Sequence, residues 1–410
     1  MLASRMSRIA PSPTLRVTAE ADRLRRQGVD VVDLGAGEPD FATPEHIKQA
    51  AREAIDRNFT KYTPSAGVME LREAICHRYY EDYGITFKPE QTIVTAGAKQ
   101  ALYNAAIALF EQGDEVITHA PYWPTIPEQV KLAGATPVIV HAHAEDGFAI
   151  HAEPFVNAIT ARTKGIIVNS PCNPTGALMS EEAMTAIADA AAKRGLWVVA
   201  DVTYEKLVYD SHPHNLVRIL VERHGDRTVI CSATSKAYAM TGWRCGWAIA
   251  PAAAIAAFNA VQGHSTSNVC SITQKAAVAA LAGPQESVDA MRREYLTRRD
   301  RVYEWLTEDP RFSCVKPRGA FYLFPYVVDV LESTGLSTTA EFAEALLRDA
   351  RVALTAGEGF DAPGYLRLSY ATSLDRLREG VTRIHEFVRR RSAIRGETES
   401  AETNTIRGVR

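Results

Sequence analysis

The sequence predicts an α/β fold: a large three-layer αβα domain with a mostly parallel sheet, joined to a smaller α+β domain. Three observations carry this reading. From about Thr43 short β-branched runs alternate with helical stretches, the pattern of parallel strands linked by crossover helices. Several of these runs lack in/out alternation, as strands covered on both faces do. After Pro284 the rhythm changes to a long charged helical stretch through about Trp305, and then to short strands and helices. At 410 residues the chain has room for two or three domains.

The candidate strands are Thr92–Thr95, Glu115–Thr118, Thr136–Val140, Gly165–Val168, Leu196–Ala200, Thr228–Cys231 and Gly246–Ala250. Helices between them have recognisable starts, such as Thr43-Pro44 and Ser180-Glu181-Glu182 before an Ala-rich run. The apolar window Trp247–Val261 is broken by Pro251 and Asn259. It is shorter than the ~20 residues a membrane span needs, so it reads as a buried strand followed by a helix. In the second domain, strands are expected near Phe312, Phe321, Val352 and Tyr365, with helices over 338–349 and 374–391. The first 45 residues carry no strong periodicity and are expected to pack with the second domain. The expected division is therefore 1–45, a large domain over 46–289, a small domain over 290–395, and a polar, aromatic-free tail over 396–410 that is expected to be disordered.

Composition narrows the function. Forty-six Lys and Arg face 49 Asp and Glu, a net charge of −3. No global positive field exists to hold a nucleic-acid backbone or an anionic membrane. Six cysteines without a C-x-x-C pair suit a reducing compartment, and the first 13 residues contain no apolar stretch of signal-peptide length. The expectation is a cytoplasmic protein acting on small molecules.

In open α/β sheets ligands bind beyond the carboxyl ends of strands, and four such places carry candidate residues. After Thr95, Gly97, Ala98 and Lys99 would open a helix whose free N–H groups favour a phosphate. The plainer reading is a structural glycine and a solvated lysine. After Val168, N-S-P-C-N-P-T-G holds Asn173, either a ligand contact or part of a rigid loop. After Ala200 come Asp201 and Tyr204, where the aspartate either caps a turn or does chemistry. Then S-A-T-S-K-A-Y-A-M-T-G-W-R-C-G places Ser235, Lys236 and Arg244 beyond an apolar strand. A lysine with restricted solvent access can form a Schiff base. Pyridoxal phosphate needs that lysine, an acid for its pyridine nitrogen, donors for its ring oxygen and an anion cradle.

At these residues the chain resembles the fold-type I, class I/II pyridoxal-phosphate aminotransferases, in particular the bacterial aspartate and aspartate/prephenate branch. The matching pieces run in order: G-A-G-E-P-D-F (35–41), K-Y-T-P-S-A-G (61–67), G-A-K-Q-A-L (97–102), P-Y-W (121–123), N-P-T-G (173–176), D-V-T-Y (201–204), S-K-A-Y-A-M-T-G-W-R-C-G (235–246), G-A-F-Y (319–322) and R-L-S-Y-A (367–371). The resemblance implies a Schiff base on Lys236, which would also move the proton at the substrate Cα, and a pyridine-nitrogen partner in Asp201. Tyr204 and Asn173 would bond the ring oxygen, and Trp123 would stack on the ring. Arg244, the backbone at Gly97, Ala98 and Lys99, and Ser235 would hold the phosphate. Tyr62 would reach it from a neighbouring subunit, implying a homodimer. Arg367 would grip the substrate α-carboxylate, its planar fork suiting that job, with Gly37 allowing close approach. Lys99 would take a distal carboxylate, favouring aspartate with 2-oxoglutarate as amino acceptor.

The chain departs from the family's D-E-I-Y at Val202 and Thr203, has Ala233 where some relatives carry a phosphate-binding serine, and places Cys172 and His264 near the site without an assignable role. Rival readings are transamination of aromatic substrates or prephenate, a β-lyase, and a ligand-sensing domain of aminotransferase origin, for which no basic DNA-binding extension precedes Ala36. G-A-G-E-P-D lacks the third glycine of a dinucleotide site. No metal is expected: H-E-x-x-H is missing, and His141/His143 and His212/His214 read as surface pairs.

Overall fold

The computed structural model describes residues 3–11, 13–211 and 215–407; His212 and His214 lie outside the described residues. The chain divides into two compact units. One comprises Met1–Ala10, Glu38–Glu294 and Arg318–Ala320; the other comprises Pro11–Gly37, Tyr295–Pro317 and Phe321–Arg410.

The first unit is organised by a seven-stranded sheet. Its strands are β1 (Thr92–Thr95), β2 (Glu115–Ala120), β3 (Thr136–His141), β4 (Thr163–Asn169), β5 (Trp197–Asp201), β6 (Thr228–Ala233) and β7 (Gly246–Ile249). In space they run β1-β7-β6-β5-β4-β2-β3. The pairs from β6 to β3 are parallel, and β7 is antiparallel to both its neighbours. Successive residues feed different cores. Ile117, Ile166, Val168, Val198, Ala200 and Ile230 point into one, and Val116, Ile167, Val199, Val229 and Cys231 into the other. This is why the strands read as unbroken apolar runs: each face is covered.

Helices α1 (Glu45–Asp56), α2 (Met69–Tyr83), α3 (Ala98–Leu109), α4 (Thr125–Leu132), α5 (Glu181–Arg194), α6 (Leu216–His224), α7 (Ala252–Gly263) and α8 (Ser271–Ala282) supply the covers. Residues of α3, α4 and α7 line the second core, and those of α1, α2, α5, α6 and α8 the first. Local chemistry sets their ends. The Ser180 hydroxyl accepts from Ala183 N at 3.1 Å and caps α5. Gly195, left-handed at φ 63, ends it.

In the second unit, Val32–Asp33 pairs in parallel with Val352–Ala353, and Thr355–Ala356, Leu366–Ser369 and Tyr322–Leu323 form an antiparallel sheet. The stretch near Phe312 contributes one bridge, Ser313 to Tyr326, rather than a strand. A helix over Pro13–Arg26 and another over Val328–Thr334 were not expected from periodicity. The helix expected over 338–349 runs Thr339–Ala345 and then widens to a π-turn over Leu346–Ala350.

The unit boundaries also differ from the expected ones, for traceable reasons. Leu34 donates to Ala353 O at 2.9 Å and accepts from Ser369 N at 2.7 Å, fastening the segment before Glu38 to the second unit. Thr43 donates to Ala239 O at 2.6 Å, fastening the next segment to the first. Arg318 N donates to Gly176 O at 3.1 Å and Ala320 N to Leu207 O at 2.9 Å, which claims that short piece for the first unit. The terminal helix runs Leu374–Arg407, so residues read as a disordered tail continue it; once nucleated, a helix extends at little cost per residue. Residues 408–410 lie outside the described residues.

The closest backbone approach in the sheet is at Gly246, where an added Cβ would stand 2.6 Å from Ala98 N and 2.7 Å from Ser232 O. Backbone on both sides leaves no room to yield. Gly246→Ala is expected to lower stability by about 1–3 kcal/mol, read as a lower denaturant midpoint; an unchanged midpoint would show that β7 and the start of α3 can separate.

Candidate active site

Two parallel strands end side by side with Asn169 of β4 opposite Asp201 of β5. The Asp201 carbonyl accepts from Ser170 N at 3.1 Å and from Asn169 Nδ2 at 3.2 Å, which fixes the two strand ends together. Asp201 is 3% exposed. Its Oδ1 accepts from Thr203 N at 3.1 Å and from Thr203 Oγ1 at 2.7 Å. Burial pushes the carboxyl pKa upward, while both Thr203 bonds and the charge of Lys236 pull it back. The turn after Asp201 is tied by Val202 N to Cys231 O at 2.9 Å and Glu205 N to Val202 O at 2.8 Å. It buries Tyr204, whose ring centroid lies 5.9 Å from Lys236 Nζ. Lys236 sits in a wound turn beyond β6, where Tyr238 N donates to Thr234 O and Met240 N to Ser235 O. Ser235 is buried beside it. Amine, carboxylate and phenol therefore share the carboxyl end of the sheet.

The Asn173 loop is anchored by the same strand end: Asn173 N donates to Asn169 Oδ1 at 2.9 Å. The neighbouring Cys172 is buried and donates through Sγ to Pro121 O at 3.5 Å, and burial pushes its thiol to about 11. It is a packing residue, not a nucleophile. His119, at the penultimate position of β2, accepts from Asn169 N through Nε2 at 3.3 Å, and burial lowers its pKa to about 4. Sequence reasoning missed Thr203, Asn169 and His119. Their shared signal is a polar side chain within two residues of the carboxyl end of a parallel strand. His141, His143 and His264 are exposed.

An anion cradle forms where α3 begins. Gly97, at φ 78, is its N-cap, and Ala98 and Lys99 open the helix. Arg244, itself left-handed at φ 55, donates from one guanidinium nitrogen to Thr241 O at 2.9 Å and from the other to Ala96 O at 3.1 Å. A Cβ on Gly97 would meet that second nitrogen at 2.5 Å, so glycine is what lets the guanidinium lie against the helix start. Lys99 Nζ stands 4.9 Å from the Trp123 ring centroid, and Gln129 Nε2 holds the Lys99 carbonyl at 2.9 Å. Desolvation, and then the charge of Arg244, lower the Lys99 pKa. Neither cation pairs with a carboxylate among the described residues. Two uncompensated cations at a helix N-terminus fit a phosphate. Tyr62 stands apart from these contacts, 91% exposed and without a hydrogen-bond partner among the described residues.

Gly37 and Arg367 belong to the second unit. Arg367, 3% exposed, donates to Gly35 O at 2.8 Å. Its guanidinium carbon lies 4.5 Å from the Tyr322 ring centroid and 5.2 Å from that of Phe360. A Cβ on Gly37 would stand 3.1 Å from the Tyr322 hydroxyl and 3.8 Å from an Arg367 guanidinium nitrogen, so glycine keeps the approach to that guanidinium open.

Known proteins resemble this chain in architecture and in sequence. The chain is 46% identical to an aspartate aminotransferase of Geobacillus stearothermophilus, over 95% of its own length and 100% of that relative. It is 43% identical to an aspartate/prephenate aminotransferase of Cereibacter sphaeroides, covering 94% and 98%. The solved structure of the Thermus thermophilus aspartate aminotransferase with maleate superposes at a TM-score of 0.89, with 42% identity over 94% of this chain and 99% of that one. The profile of the family described as aminotransferase class I and II matches residues 29–384, a span reaching from the segment before Gly37 to beyond Arg367. With the lysine, the buried aspartate and the anion cradle all inside that match, the chain belongs to the class I and II aminotransferases.

Proposed function

We propose that this aminotransferase takes its amino group from L-aspartate and passes it to a 2-oxo acid such as 2-oxoglutarate. The observation that carries the reading is the convergence of Lys236, Asp201 and the Arg244–helix cradle at one end of one sheet. Bound there, pyridoxal phosphate supplies an aldehyde for amine exchange and a ring that withdraws electrons. Lys236 Nζ would anchor the aldehyde and then serve as base at the substrate Cα. Asp201 would hold the proton on the ring nitrogen. Tyr204 and Asn173 would donate to the ring oxygen, and Trp123 would cover the ring face. Arg244, Ser235 and the backbone at Gly97, Ala98 and Lys99 would hold the phosphate.

Arg367 is suited to a substrate carboxylate: its guanidinium is held by Gly35 O and by two aromatic faces, with Gly37 beside it. Lys99 is assigned the second carboxylate of aspartate, because it lacks an acidic partner among the described residues and lies over Trp123. The names of the relatives support aspartate. Tyr62 is assigned to a neighbouring copy's phosphate in a homodimer, which accounts for a tyrosine 91% exposed. All six cysteines are free thiols, which suits a reducing cytoplasm.

Three outcomes are expected. Lys236→Ala loses turnover, and borohydride no longer fixes pyridoxal phosphate to the peptide carrying residue 236; labelling retained there would overturn the assignment. Half-transamination of Lys99→Ala, followed as conversion of the cofactor to its amine form, shows the KM for aspartate raised about tenfold, the scale of one charged hydrogen bond. The KM for phenylalanine changes little, and equal effects on both would remove the dicarboxylate reading. In sedimentation at micromolar concentration the enzyme runs as a dimer, and a catalytically competent monomer would contradict the role of Tyr62.

A further inference from the structure

The turn after β5 departs from the family pattern D-E-I-Y at residues 202 and 203, and the geometry assigns the second departure a role. We propose that Thr203 is a positioning residue: its hydroxyl and backbone N–H together occupy Oδ1 of Asp201 and leave Oδ2 as the oxygen presented to the pyridine nitrogen. The inference rests on the assignment of Asp201 made above.

The two bonds to Oδ1 differ in kind. The N–H contact at 3.1 Å is the Asx-turn that any residue with a backbone amide makes at this position. The hydroxyl contact at 2.7 Å needs a hydroxyl-bearing side chain at position 203; an isoleucine in its place has no donor. A hydroxyl donating to a carboxylate is a charge-assisted bond, about twice as strong as a neutral one. With both donors on one oxygen, the carboxylate is fixed in rotation, and Oδ2 accepts no hydrogen bond among the described residues.

The hydroxyl also acts against burial. Desolvation of Asp201 favours its neutral acid, which could not keep a ring nitrogen protonated, and the Thr203 side chain gives the largest opposing contribution. The other groups felt by this carboxylate are the Lys236 amine and the thiols of Cys172 and Cys231, which burial keeps protonated. Thr203 is thus, among the described residues, the neutral side chain that both orients Asp201 and favours its ionised form.

The test compares Thr203→Val, Thr203→Ser and Asp201→Asn as holoenzymes, reading the pH midpoint of the bound cofactor's visible absorbance change and the affinity of the apoenzyme for pyridoxal phosphate. Weakening the Asp201 anion reduces positive charge on the ring nitrogen, so the lysine-bound nitrogen should keep its proton to higher pH. Thr203→Val is expected to raise the midpoint by about one pH unit and weaken cofactor affinity about tenfold, the equivalent of one charge-assisted bond. Thr203→Ser should restore both. If Thr203→Val titrates like the wild type while Asp201→Asn is displaced, the role of Thr203 is overturned and that of Asp201 stands. A serine variant displaced as far as the valine one would mark Thr203 as packing only and overturn the inference. A silent Asp201→Asn removes the reading beneath it, and the inference with it.

Discussion

A carboxylate sealed at the end of a parallel strand is the constraint on which the rest depends. Asp201 cannot be exposed to water without moving out of β5, and it cannot stay ionised in place without donors and a nearby positive charge. The structure supplies these from two loops and braces the strand end from a third. Thr203 donates from the following turn, Lys236 brings its charge from the turn after β6, and Asn169 and Ser170 hold the strand end through its carbonyl. Each loop also carries another residue of the proposed site: Tyr204 follows Thr203, Ser235 precedes Lys236, and Asn173 is bonded to Asn169. Satisfying one buried charge therefore organises much of the site.

A second constraint is the density of packing where α3 meets β7. Two glycines, at 97 and 246, allow the helix start, the strand and the Arg244 guanidinium to occupy one small volume. The cost is electrostatic, because Arg244 and Lys99 repel each other with no acidic side chain paired to either among the described residues. A doubly charged phosphate placed there offsets that repulsion, so cofactor binding should be coupled to the stability of this corner of the fold.

Much of this was legible in the residues. The seven strands of the large sheet were readable because burial on both faces leaves unbroken β-branched runs, and β1 coincides with its expected span. The other strands extend beyond theirs by a residue or two, apart from β5 and β7, because strand ends are set by hydrogen bonds to neighbours. The second unit was less legible. Its strands over Val32–Asp33 and Tyr322–Leu323 are too short to show a period, and Pro13–Arg26 carries only sparse apolar positions such as Val17, Ala21 and Leu24. In the site, Lys236, Asp201 and Arg244 could be singled out because strand ends are where such groups do chemistry. Thr203 could not, since nothing in D-V-T-Y reveals that its hydroxyl turns back onto the carboxylate two residues before it.

The chain passes from one unit to the other several times, at residues 10–11, 37–38, 294–295, 317–318 and 320–321. The pairing of Val32–Asp33 with Val352–Ala353 makes this most acute. During synthesis the early segment emerges from the ribosome long before its partner exists, while the large sheet already has all its strands once Ile249 is made. The residues around Val32 must therefore wait unpaired until Val352 and Ala353 have been made, and the second unit closes only once the residues after Phe321 appear. Neither unit corresponds to a continuous stretch of gene, so this enzyme resists being divided into independently expressed halves.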